Sequence, residues 1–471
     1  MINSHLSRQI RQNFPHTPTN EQLFALNILA DFLLSANENS ALLLKGYAGT
    51  GKTSLVGALV KTMSGLKQKS VLLAPTGRAA KVLSNYAGQQ AFTIHKKIYR
   101  QDAFSNDLSA FHPSDNLHKD TLFIVDEASM ISNQGIDSHY FGSGRLLDDL
   151  VHYVYSGENC RLMLMGDTAQ LPPVMQVESP ALQADILKGY NLQVDEIQLT
   201  EVVRQDLNSG ILYNATLLRD SLRNNRVEIY PKLTVKGFAD IQMINGSELI
   251  EAISNAYSKD GLDDTIVISR SNKRANIYNN GIRNQILYRE EELSTGDRLM
   301  IVKNNYFWTR NNKEIDFIAN GEIVQVLRVR NESHLYGFRF CDVTVRFQDY
   351  DMELDIKILL DTLQTEAPAL PKELSDKLFY TILEDYQDIS TKSGKMKKMK
   401  ENPHYNVVQV KYAYAITCHK AQGGQWKNVF LDIGYMTEEM LGENFYRWLY
   451  TAMTRATDRL YLVNLPEEFV G

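Results

Sequence analysis

The sequence predicts an α/β protein with at least two parallel-sheet domains, the second interrupted by a β-rich insertion. Three observations predict it. A chain of 471 residues exceeds the roughly 250 to 300 residues at which a single hydrophobic core stops growing. Short apolar runs at Ala41 to Leu44, Val71 to Ala74, Leu122 to Val125 and Leu162 to Met165 each give way to a polar or helical stretch, the pattern of buried parallel strands joined by crossover helices. A second set follows at Thr265 to Ser269, Tyr412 to Ile416, Val429 to Ile433 and Leu460 to Val463.

Between the runs of the second set, about Asn305 to Val408, the pattern changes to alternating stretches such as Glu322 to Arg328 and Phe338 to Phe347, with Asn320-Gly321 as a turn signal. This predicts the small β-rich insertion. Its far end carries a basic run from Lys392 to Lys400, read first as a flexible, solvated surface loop and second as a phosphate contact.

Composition fits ordinary globular cores: 44% of residues are hydrophobic and 23% charged. The formal charge of −6 gives no general attraction to a polyanion, so any nucleic-acid groove must be local. Cys160, Cys341 and Cys418 are far apart and lack metal-ligand spacing, which predicts buried reduced thiols rather than zinc or a disulfide framework. No apolar run reaches the roughly 20 residues needed to span a bilayer, and a cytoplasmic protein with no membrane partner is expected.

In parallel sheets ligands collect at the carboxyl ends of strands, and the chemically suggestive residues follow the apolar runs. Gly46-Tyr47-Ala48-Gly49-Thr50-Gly51-Lys52-Thr53 matches GxxxxGK[ST] between a strand and a helix. The loop of Gly46, Ala48, Gly49, Thr50 and Gly51 lets backbone N–H groups close around phosphates, Lys52 can reach the β and γ phosphates, and Thr53 can bind Mg²⁺. Asp126, after the run Leu122 to Val125, is the second metal-positioning carboxylate, expected at the end of a neighbouring strand. Glu127 beside it can orient or deprotonate the attacking water. Taken alone, an Asp-Glu pair is better read as a solvated strand end. The implied cofactors are ATP and Mg²⁺.

With these motifs in order, the sequence resembles the superfamily 1 helicases of the 5′-to-3′, RecD-like and Dda-like branch. Further motifs carry the resemblance: Ala74 to Lys81, Thr93 to Lys96, Asp126 to Ser129, Gly166 to Val174, Leu199 to Gln205, Thr417 to Gly423 and Tyr450 to Ala456. It implies two RecA-like motor domains, residues 1–203 and then 204–304 with 409–471, a pin-type insertion at 97–120, and an SH3-like β-barrel at 305–408.

The resemblance also implies roles. Gln22 matches an adenine-reading glutamine, with an exposed helix Gln as the alternative, and Gln170 a γ-phosphate sensor. Arg204 and Arg455 match arginines that reach the γ-phosphate, while Gln422 and Gly423 lie in a motif at the nucleotide. Single-stranded DNA would be tracked by Pro75, Thr76, Lys81, Thr93 and His95 from the first domain and Thr417, His419 and Lys420 from the second. Phe111, in the aromatic-bearing segment Tyr99 to Asp120, is the candidate pin residue for stacking at a duplex junction, against the alternative of a small hydrophobic cluster. The implied activity is ATP-driven translocation and unwinding, with a monomer as the expected working form. A DNA or RNA translocase that does not unwind, a motor subunit of a recombination nuclease, and a nucleotide-regulated binding module that hydrolyses ATP slowly or never are the competing functions.

Overall fold

The computed structural model describes residues 2–101, 111–134, 142–202, 208–310, 315, 317–348 and 352–471. In the first part of the chain the strands are β1 (Ser40–Gly46), β2 (Lys69–Ala74), β3 (Ala91–Thr93), β4 (Tyr99–Gln101), β5 (Phe111–Pro113), β6 (Thr121–Val125), β7 (Arg161–Gly166) and β8 (Gln193–Leu199). All but β4 and β5 form one parallel sheet in the order β3-β2-β6-β7-β1-β8. The apolar runs are unbroken because both faces of this sheet are covered. Leu42, Leu44, Leu72, Ile124 and Met163 pack toward Leu26, Leu29, Leu55 and Leu59 on one side. Leu43, Leu73, Phe123, Val125 and Leu164 pack toward Ile94, Leu147 and Leu150 on the other.

The second sheet is also parallel. Its strands are β9 (Ile241–Ile244), β10 (Thr265–Ser269), β16 (Ala415–Thr417), β17 (Trp426–Asp432) and β18 (Ala456–Val463), in the order β16-β10-β17-β18-β9. Strands β11 (Arg298–Ile301), β12 (Ile323–Leu335), β13 (Phe338–Phe347), β14 (Met352–Leu359) and β15 (Val408–Tyr412) close a barrel between β10 and β16. Gly321, at φ +92°, makes the predicted turn before β12. The barrel extends beyond 305–408 at both ends, because Leu299 pairs with Tyr412 and Ile301 with Val410 to shut it. Closure removes the edges an open sheet would expose.

The insertion is not wholly β. Helices Lys372–Glu384 and Lys392–Glu401 lie on the barrel, seated on a cluster that includes Phe338, Phe340, Leu359, Leu378, Ile382 and Met399. The basic run is therefore a helix rather than a flexible loop. Thr391 Oγ1 caps it by accepting from the Gly394 N–H at 3.1 Å, and the fully buried Met399 anchors it, while Lys397 and Lys398 face solvent. All three cysteines are free and buried. Among the described residues no helix is long and apolar enough to cross a membrane.

Candidate nucleotide site and nucleic-acid groove

Strand β1 ends at Gly46, and the loop that follows turns into the helix Lys52–Gly65 through Gly49 at φ +75° and Gly51 at φ +79°. Side chains with a β-carbon rarely adopt these angles, which is why glycine occupies both positions. Lys52 Nζ lies over the loop, donating to the Gly46 and Tyr47 carbonyls at 2.7 and 2.9 Å. Thr50 is buried with its hydroxyl on the Tyr47 carbonyl at 2.8 Å, and Thr53 falls in the first turn of the helix. Gln22 is not an exposed helix residue; it is 2% exposed. Its Nε2 donates to the Thr50 carbonyl at 2.9 Å, and its Oε1 accepts from the Thr19 N–H at 2.9 Å in a capping box. Both ends of the amide are engaged, so reading an adenine edge would require exchanging one of these bonds.

Asp126 follows β6, which is not the immediate neighbour of β1: β7 runs between them. The extra strand brings Asp167 and Gln170 into the gap between the P-loop and the two carboxylates. Burial and the adjacent Glu127 carboxylate push Asp126 up to about 7, outweighing the opposite pull of Lys52 and Arg455. Thr53 and Asp126 are the residues that would hold a divalent ion arriving with a nucleotide. No group of three or more His, Cys, Asp or Glu suited to a metal occurs among the described residues. Glu127 is held at φ +52°, a costly backbone conformation for a residue with a β-carbon and one that clusters at functional sites. Gln170 is 6% exposed, and its Oε1 is buried without a hydrogen-bond partner.

The second sheet's domain closes over this edge. Arg455 is 4% exposed and is fixed by bonds to the Thr451 and Gly424 carbonyls at 3.0 and 3.2 Å. Its Nη1 lies 3.8 Å from Glu127 Oε1. Gln422 Nε2 donates to the Leu171 carbonyl at 2.7 Å, and Gly423, at φ +72°, packs against Thr76 and Ala79 so closely that a β-carbon would sit 2.9 Å from Ala79 Cβ. Both therefore bear on the domain interface. Arg204 lies outside the described residues, but Glu21 anchors the segment leading to it, accepting from the Thr200 and Glu201 N–H groups at 2.6 and 2.8 Å.

The groove residues divide into helix caps and cations. Pro75 and Thr76 follow β2, and Thr76 Oγ1 accepts from the Ala79 N–H at 3.2 Å. Thr93 Oγ1 likewise accepts from the Lys96 N–H at 3.2 Å. His95 does not supply a charge at neutral pH, since burial lowers its pKa to about 4. A cavity of about 510 Å³ is lined by Thr417, His419 and Lys420, and also by Arg270, Lys273 and Lys411. Lys81 donates to the Gln348 carbonyl of the barrel, and Lys420 to Asn320 Oδ1 at 2.6 Å, so the insertion touches cations of both motor domains. The pin segment has an antiparallel stem in which Phe111 pairs with Gln101. Phe111 thus sits in a strand rather than at a tip, and residues 102–110, with Phe104, lie outside the described residues.

Residues 30–232 match the AAA domain family, and residues 412–463 match the UvrD-like helicase C-terminal domain. The ATP-dependent RecD2 DNA helicase of Deinococcus radiodurans is 26% identical over 428 residues, covering 89% of this chain and 46% of that protein. The ATP-dependent DNA helicase Dda of Enterobacteria phage T4 is 26% identical over 301 residues, covering 62% of this chain and 63% of Dda. The chain resembles the superfamily 1 helicases of the RecD-like and Dda-like branch. It spans less than two thirds of either relative's length. Among solved structures, a Bacteroides Pif1 helicase crystallised with ADP-AlF3 and ssDNA has a TM-score of 0.48 at 14% identity, with 96% of this chain and 94% of that one covered.

Further side chains at the domain interface and the cavity carry a signal in the sequence beyond the roles that the motifs imply. Arg270 directly follows β10, at a strand's carboxyl end, where ligands collect. Arg447, Tyr450 and Thr451 stand at i, i+3 and i+4 of the helix Glu443–Met453, so they share a face. That face meets the first domain: Thr451 Oγ1 accepts from the Leu171 N–H at 2.8 Å, and Arg447 donates to the Thr168 carbonyl.

Proposed function

We propose that this chain is an ATP-dependent DNA helicase, moving 5′ to 3′ along single-stranded DNA and opening duplex by hydrolysing Mg-ATP between its two motor domains. The observation that carries this reading is the approach of Arg455 to Glu127 across the interface, 3.8 Å from guanidinium to carboxylate, at the edge where the P-loop and Gln170 also converge. Lys52 holds the β and γ phosphates, Glu127 orients the attacking water, and Gln170 supplies its free carbonyl to the same region. Arg455 stays charged at any working pH and forms two-pronged phosphate contacts. Thr53 and Asp126 would hold Mg²⁺, whose positive charge would offset charge on the transferred phosphoryl group. Because the arginine and the carboxylate lie on different domains, hydrolysis and release of phosphate weaken the closed interface, and closing and reopening become steps along the strand.

Single-stranded DNA fits the basic cavity beside the barrel. Hydroxyls and cations there track phosphates without sequence readout, which also reconciles DNA binding with a net charge of −6. The direction rests on the resemblance to the 5′-to-3′ branch. Unwinding of 5′-tailed and 3′-tailed duplexes tests the proposal: strand separation is expected with the 5′ tail. Separation that requires a 3′ tail refutes the direction, and hydrolysis without separation of either substrate points to a translocase that does not unwind.

A further inference from the structure

Tyr450 is 1% exposed, and its hydroxyl joins three parts of the motor. It donates to Asp167 Oδ2 at 2.6 Å and accepts from the Ala48 N–H of the P-loop at 2.8 Å. Asp167, itself 1% exposed, accepts from the Ala169 N–H with its other oxygen at 2.9 Å. The bridge is not isolated. The neighbouring P-loop residues are also held from the second domain's side: the Arg219 guanidinium lies 4.6 Å from the centroid of the Tyr47 ring, and Leu212 packs so near Gly49 that a β-carbon there would sit 3.1 Å from Leu212 Cδ2. Three consecutive residues of the phosphate loop, Tyr47, Ala48 and Gly49, are thus gripped from outside their own domain. The contact is buried and largely apolar: Tyr47, Ala169 and Leu171 share one cluster with Tyr446, Trp448 and Tyr450.

We propose that Tyr450 is a positioning residue: its hydroxyl locks the P-loop and the Asp167–Leu171 segment to the helix that leads into Arg455, so that the second motor domain sets the phosphate loop as the cleft closes. The chemistry requires a hydroxyl at this reach, since one atom must accept from a backbone amide and donate to a carboxylate at once. Helix geometry then carries the registration onward. Thr451 is bonded to Leu171, next to Gln170, and the turn after the helix places Arg455 opposite Glu127. A phosphate loop held through this bridge is closed in step with the arrival of Arg455. Without the bridge, the loop still binds nucleotide through its own amides and Lys52, but closure no longer fixes it.

This inference rests on the proposed ATPase, and the wild-type chain separates the two: wild-type protein that fails to hydrolyse ATP with single-stranded DNA removes the proposed function itself. Given wild-type hydrolysis, steady-state turnover is measured on the full chain for Tyr450→Phe, Asp167→Ala and the double variant, each checked by thermal melting. The expected result is a fall in DNA-stimulated kcat of about tenfold in each single variant, equivalent to about 1.4 kcal/mol, with KM for ATP within about threefold of wild type. The double variant falls no further than the lower single, because both substitutions cut one bridge. Wild-type kcat in either single variant, or losses that multiply in the double, overturns the proposal. So does a rise in KM that accounts for the whole effect. If Tyr450→Phe does not fold, the split between kcat and KM in Asp167→Ala decides alone.

Discussion

Lys52→Ala lowers ATP turnover by about a thousandfold or more, because the β and γ phosphates lose the one fixed ammonium the loop provides and preorganised charge of this kind dominates phosphoryl transfer. In the folded protein Lys52 Nζ is held by the Gly46 and Tyr47 carbonyls, so the ammonium is already aimed over the loop before nucleotide arrives. Truncation leaves those two carbonyls to water, at a cost of about 1 kcal/mol each, too little to unfold a chain with cores on both faces of its first sheet. Binding of single-stranded DNA should survive, since the groove cations Arg270, Lys411 and Lys420 line a separate cavity. Hydrolysis by a stopped assay and DNA binding by anisotropy are the paired measurements. Wild-type turnover in Lys52→Ala would remove the P-loop assignment.

Arg455→Ala is the second large effect. Arg455 comes from beyond β17, on the domain opposite the P-loop, and its guanidinium lies 3.8 Å from the Glu127 carboxylate. A guanidinium in that place acts mainly on charge that develops in the transition state. DNA-stimulated kcat should therefore fall by roughly 10³ while nucleotide affinity stays nearly unchanged. Arg455 also bonds to the Gly424 and Thr451 carbonyls, so the truncated variant needs a control for packing. Arg455→Lys keeps a cation but loses the planar fork, and it should remain folded with turnover still strongly reduced. Loss of affinity with turnover intact would take Arg455 off the catalytic list.

What could be read in the sequence was chemistry fixed by neighbours along the chain. The phosphate loop declares itself because glycine spacing, Lys52 and Thr53 act within one turn. The strands of both sheets declare themselves because burial on two faces leaves no polar alternation. The barrel's limits could not be read, since Arg298–Ile301 and Val408–Tyr412 become strands only by pairing across the whole insertion. Lys392–Glu401 has almost no apolar stripe, so nothing local shows that Met399 anchors it as a helix. The grip on Tyr47 and Ala48 arises where residues from distant segments meet, and no spacing encodes which tyrosine reaches which amide. Nothing along the chain shows the burial of His95, which lowers its pKa to about 4. The order of β6, β7 and β1 was likewise invisible, although it decides what lies between the P-loop and Asp126.

The most direct test of hydrolysis between domains that also hold a strand is the steady-state ATPase rate of the full chain, with Mg²⁺, measured with and without single-stranded DNA. Turnover should rise at least about tenfold when DNA occupies the groove, since closure then brings Arg455 onto the nucleotide more often. A rate that is unchanged by DNA, or the lack of any hydrolysis, would contradict it.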